Sequence, residues 1–215
     1  MVSVFIKAGV IVLLVFIGNV LVVKNIEDGR QAEVQEKLAK MEREGQTSKL
    51  MLLYMQTLDK EDAAALCPAL DSLTSEQILA ANNLAYQIDK YREANLIASL
   101  EEARERYILN SVELWLYLKQ LEEVCGMKKL TPILYFYPEK AACPECKVQA
   151  DILNSYRDRC TNVRVFAFPA TRENGIIKVL TAKYNVTKTP SLVINDKTFG
   201  GIIGESILKE EVPCA

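Results

Sequence analysis

A proline-bounded apolar and aromatic run, Pro132-Ile133-Leu134-Tyr135-Phe136-Tyr137-Pro138, is followed after a short loop (Glu139 to Ala142) by Cys143-Pro144-Glu145-Cys146. A continuous run of this kind reads as a buried strand. Beyond the cysteines, Val148, Ile152, Leu153 and Tyr156 recur at helical spacing, so the motif sits at a strand-to-helix junction. The first sulfur then projects from a helix N-terminus, where unpaired N–H groups and the helix dipole stabilise a thiolate. The second lies one turn along, within reach of a mixed disulfide on the first. Pro144 suits the first turn, where its missing N–H costs little.

Composition narrows the chemistry further. The chain has six Cys and no His, which excludes Ser-His-Asp and Cys-His nucleophile pairs and every His-ligated metal site. No second C-x-x-C completes a zinc site, so no metal is expected. The net charge of −2, from 26 basic and 28 acidic residues, gives no basic surface for nucleic acid. A hydrophobic share of 50% excludes a disordered chain.

Further along, 163–168 reads as a second strand and 174–184 as a second helix. Residues 191–194 and 197–200 read as a hairpin across Asn195-Asp196, a pair that tolerates positive φ. A short helix over 205–211 completes an α/β order of β-α-β-α-β-β-α.

This part resembles the thioredoxin/glutaredoxin superfamily over about residues 130–212. Two motifs carry the resemblance: Cys143-Pro144-Glu145-Cys146 after the first strand and Thr189-Pro190-Ser191 before the third. The pair Gly200-Gly201 is similar to the glycines that follow the last strand in glutaredoxins. The resemblance implies a thioredoxin-like fold over 129–215 and a cis Pro190 packed against the disulfide. It also implies substrate binding through the backbone of Thr189, and thiol–disulfide exchange at Cys143 and Cys146. The redox-active disulfide would take the place of a cofactor. Protein thiols and disulfides would be the substrates, with a separate redox partner to reset the pair. The sequence departs from the family in three places: no Trp precedes Cys143, the first strand lacks a buried acid, and no Tyr lies between the cysteines. Pro144 and Glu145 would modulate the pair. A carboxylate next to a thiolate disfavours the charged form, which points to a weakly acidic Cys143 thiol and a reducing couple. The alternative is a non-catalytic adaptor or chaperone in which the same domain only binds.

Cys67, Cys125, Cys160 and Cys214 can be small buried hydrophobes, as free cysteines often are. In the thioredoxin-like topology, however, the helices ending at Cys160 and near Cys214 share a sheet face. Pairing 67–125, 143–146 and 160–214 is then one of 15 connectivities, with the outer two bridges structural. An even cysteine set points to an oxidising compartment.

The N-terminal residues are expected to form an uncleaved transmembrane signal anchor over 1–23, an apolar run against the roughly 20 residues a span needs. A charged stalk helix over 24–46 and a helical layer over 47–128 follow. Within that layer Thr74-Ser75-Glu76-Gln77 reads as a capping box that starts a helix, and Gly126 as a stop. These features imply a single-pass membrane protein in contact with the bilayer. Basic residues after the span (Lys24, Arg30, Lys37, Lys40 and Arg43) place the domain in the cytoplasm by the positive-inside rule. The cysteines place it on the extracytoplasmic side, which is the side expected, because Glu27 and Asp28 flank the same basic residues and the domain is long. Asn185-Val186-Thr187 is a glycosylation sequon, a three-residue match that often goes unused.

Overall fold

The computed structural model describes residues 46–47, 49–55, 57–58, 60–139 and 142–214. The chain divides into two compact units, Met1–Leu58 and Asp59–Ala215. The described part of the first unit is almost wholly helical. The second unit holds α1 (Lys60–Ala64), α2 (Cys67–Glu93), α3 (Ile97–Cys125), β1 (Thr131–Tyr137), α4 (Pro144–Arg159), β2 (Val163–Pro169), α5 (Gly175–Lys183), β3 (Ser191–Ile194), β4 (Lys197–Gly200) and α6 (Glu205–Glu211).

The expected fold, with its N-terminal transmembrane helix and single-pass membrane location, needs correction. Among the described residues no helix is long and apolar enough to cross a membrane. What they form is a mixed α/β arrangement around a four-stranded sheet. The two longest helices, α2 and α3, fail as spans because each is amphipathic. The segment Leu100-Glu101-Glu102-Ala103-Arg104-Glu105-Arg106, for example, buries Leu100 and Ala103 and leaves its charges at the surface or half-buried. The anchor expected over 1–23 and most of the stalk expected over 24–46 lie outside the described residues.

A second correction concerns the start of α2. Thr74 is wholly buried in the helix interior, and its hydroxyl donates back to the Leu70 carbonyl at 2.7 Å. Ser75 does the same to Asp71 at 2.9 Å. The helix begins a full two turns earlier, where Pro68 occupies the first turn. Threonine and serine serve as caps or as i−4 back-bonders, and burial of this face selects the second role. At the turn of the hairpin Asn95 adopts φ 54°, and back at the end where α2 begins Gly126 closes α3 in the left-handed region at φ 63°.

The sheet runs β2-β1-β3-β4, with β1 and β2 parallel and the remaining neighbours antiparallel. Strand alternation sends two sets of β1 side chains to opposite faces. Leu134 and Phe136, with Phe166, Phe168 and Val193, pack against Trp115 and Leu118 of α3 and Ile177 and Leu180 of α5. Ile133 and Tyr135, with Leu192 and Ile194, pack against Leu153 and Tyr156 of α4 and Leu208 of α6. The result is three layers, with the α2–α3 hairpin contributing to one outer layer. Strands β2 and β4 are the outer strands. Arg164 of β2 donates to Asn82 of α2 at 2.8 Å, and the Lys188 side chain lies where a Cβ on Gly200 of β4 would point. Asn195 and Asp196 close the β3–β4 hairpin at φ 50° and 60°, the conformation a two-residue turn of this hand requires.

Candidate active site

Cys143 caps α4. Its backbone is non-helical, at φ −134° and ψ 84°, and its carbonyl accepts from the N–H groups of Cys146 at 3.1 Å and Lys147 at 3.3 Å. Its sulfur accepts from the same Cys146 N–H, also at 3.1 Å. Pro144 opens the first turn and Glu145 stands exposed within it. Cys143 is bonded to Cys146, with Cα atoms 5.1 Å apart. The two sulfurs are not equivalent. Cys143 is partly open, whereas Cys146 retains only 7% exposure and belongs to the core cluster between α4 and the sheet. Opening the disulfide therefore presents the outer sulfur to a partner, with a backbone donor already in place for its negative charge.

Two buried polar side chains hold this end of α4. The Tyr135 hydroxyl donates to the Cys146 carbonyl at 2.7 Å. Burial, reinforced by neighbouring Tyr137, pushes the Tyr135 pKa up to about 12, so the phenol remains a donor throughout the physiological range. Gln149 is wholly buried and bonds one residue twice: its Oε1 accepts from the Ile203 N–H at 2.6 Å, and its Nε2 donates to the Ile203 carbonyl at 3.4 Å. Replacing Gln149 with leucine is expected to strand both groups of Ile203 and to destabilise the fold by about 1–3 kcal/mol, measured by urea denaturation. An unchanged midpoint would mean that water satisfies Ile203.

The register fixes where the second motif lies. Phe136 pairs with Ser191, so the end at which β1 leaves the sheet is the end at which β3 enters it. Thr189-Pro190 therefore stands at the same end as the loop that leads to Cys143. The Thr189–Pro190 peptide is cis and Pro190 is buried. The Pro190 carbonyl accepts from the Gly201 N–H at 2.8 Å, and Gly201 sits at φ 94°, a conformation that favours glycine. A cleft of about 410 Å³ opens between α2, α3 and the ends of β1 and β2, with Tyr107, Tyr137, Arg104, Glu139 and Arg172 among its walls.

The other four cysteines form two bridges, Cys67–Cys125 and Cys160–Cys214, with Cα separations of 5.8 and 4.8 Å. Cys125 ends α3 just before β1 begins, and Cys160 ends α4 just before β2 begins. Since β1 and β2 are parallel, both bridges lie at the end of the sheet away from Cys143. Among the described residues no cluster of three or more Cys, Asp or Glu is arranged to hold a metal ion.

Scans of the chain against family models, curated proteins and solved structures give no match. The class to which the chain can be assigned on geometry alone is a mixed α/β protein with a partly open disulfide at a helix N-terminus.

The sequence reading missed Tyr135, Gln149 and Arg172. Gln149 had a readable signal. It falls on the line Cys146, Gln149, Leu153, Tyr156, which is the buried stripe of α4, whereas Val148 is 48% exposed. A polar residue on the apolar face of a helix marks a hydrogen bond to be found.

Proposed function

We propose that this chain is a thiol–disulfide oxidoreductase of the thioredoxin type, with Cys143 as the attacking sulfur and Cys146 as the resolving one. The supporting observation is the unequal burial of the two sulfurs at the N-terminus of α4, together with the Cys146 N–H directed at Cys143 Sγ. In the reducing direction the Cys143 thiolate attacks one sulfur of a substrate disulfide. That bond breaks, its other sulfur leaves as a thiolate and takes a proton, and a mixed disulfide forms on Cys143. Cys146 then loses its proton and attacks Cys143 Sγ. The second substrate sulfur is released as a thiol, and the Cys143–Cys146 disulfide is restored. Two electrons have passed from the chain to the substrate, so a dithiol reductant must return them. With no histidine in the chain, water or a carboxylate accepts the Cys146 proton. The substrates are protein disulfides, and the partly exposed backbone of Thr189, before the buried Pro190, is where a substrate segment would lie.

Trapping tests this reading. A Cys146→Ser variant should accumulate mixed disulfides that are released by dithiothreitol and absent from a Cys143→Ser/Cys146→Ser control. A Cys146→Ser chain that stays free of adducts in the presence of a disulfide protein would leave the domain as a binding module.

A further inference from the structure

Resting on that reading, we propose that Arg172 is a positioning residue for Cys143, through which the α2–α3 hairpin supports the redox loop. Arg172 lies in the loop between β2 and α5, and its side chain is only 13% exposed. Its guanidinium donates in three directions: Nε to Glu105 at 2.7 Å, Nη2 to Glu101 at 3.2 Å, and Nη1 to Glu139. Glu101 and Glu105 lie one turn apart on α3, whereas Glu139 lies in the loop that carries the chain from β1 to Cys143.

The same neighbourhood ties Glu139 a second time, since its N–H donates to Thr171 Oγ1 at 3.0 Å. The segment that carries Arg172 is itself held to α3, where Asn174 Nδ2 donates to Glu105 at 3.1 Å. Next to it, the Ala170 N–H donates to the Tyr137 carbonyl at 2.8 Å. A single carboxylate would balance the charge of one half-buried arginine. Three, drawn from two separate parts of the chain, fit a fork that fixes one part against the other. The residue so fixed is Glu139, four positions before the attacking cysteine. Cys143 Sγ accepts from the Cys146 N–H, and on this proposal a loosened Glu139 would weaken that bond by letting Cys143 shift. The hairpin thereby gains a task at the redox site without touching either sulfur.

The test uses the full chain, reduced, in five forms: wild type, Glu139→Gln, Arg172→Gln, Arg172→Lys and the Glu139→Gln/Arg172→Gln double variant. The readout is the rate of Cys143 alkylation by iodoacetamide across pH, with the stability of each form followed by urea denaturation. Loss of the fork is expected to raise the Cys143 thiol pKa and slow alkylation at neutral pH by roughly threefold or more in Glu139→Gln and Arg172→Gln. Arg172→Lys keeps the charge but not the fork, and should fall between them and wild type. The Glu139→Gln/Arg172→Gln double variant should be no slower than Arg172→Gln alone. Alkylation profiles that superimpose on wild type in both glutamine variants would overturn the proposal and leave the cluster with a purely structural role. Alkylation reports the setting of Cys143 whether or not the wild type turns over a disulfide. Absence of turnover would instead count against the oxidoreductase reading.

Discussion

Replacing Cys143 with serine is expected to lower the rate at which the reduced chain cuts a protein disulfide by at least about a thousandfold, to the level of background exchange. A serine hydroxyl stays protonated where a thiol at a helix N-terminus ionises, and oxygen is a poor nucleophile toward sulfur. Cys146 cannot substitute, because it is 7% exposed and packed among Tyr135, Leu153 and Leu192. The measurement is the rate of reduction of a disulfide-linked protein by the pre-reduced chain, with Cys146→Ser as a comparison that should complete the first step once and then stop. If Cys143→Ser reduced the substrate at the wild-type rate, the outer sulfur would not be the attacking one and the assignment of roles would be reversed.

Removing the Cys67–Cys125 bridge, as Cys67→Ala/Cys125→Ala, should cost about 4 kcal/mol of stability. The bridge spans 58 residues, and a loop of that length loses that much entropy from the unfolded chain when it is closed. For an unfolding slope of about 2 kcal/mol/M, the urea midpoint should fall by about 2 M. The same relation applied to the Cys143–Cys146 pair, three residues apart, gives less than about 2 kcal/mol. Opening that pair is therefore expected to cost the fold less than opening either of the long bridges at the opposite end of the sheet. A double variant whose midpoint stayed at the wild-type value would show that the α2–α3 hairpin holds without its bridge.

What could be read from the sequence depended on range. Strand β1 was legible because Ile133 to Tyr137 are five successive apolar and aromatic residues between prolines, which admit few other readings. The Asn195-Asp196 turn was legible because few residue pairs accept two positive φ angles in succession. The cysteine motif was legible because its purpose is local, a sulfur at a helix start. Thr74 was misread because capping and back-bonding use the same hydroxyl, and only burial by distant residues decides between them. Val148 shares the helical spacing of Ile152, Leu153 and Tyr156 yet stays exposed, because the α4 pattern fits two neighbouring faces and the one chosen by the sheet carries Gln149. The Arg172 cluster could not be seen at all. Its partners lie 33, 67 and 71 residues away, and nothing in a run of charged residues announces which of them will meet.

The two outer strands bear on how the chain behaves at high concentration. An outer strand with bare N–H and C=O groups is a template on which a second molecule can extend the sheet and seed fibre growth. On the β2 side the Arg164 side chain is bound to Asn82 of α2. On the β4 side the template is only four residues long. It begins with Lys197, whose ammonium is bound to Glu211, and ends at Gly200, with the Lys188 side chain close by. An incoming strand would gain few ladder hydrogen bonds there and would have to displace two lysines to make them. Charge and brevity on the β4 side discourage the sheet from growing from molecule to molecule there.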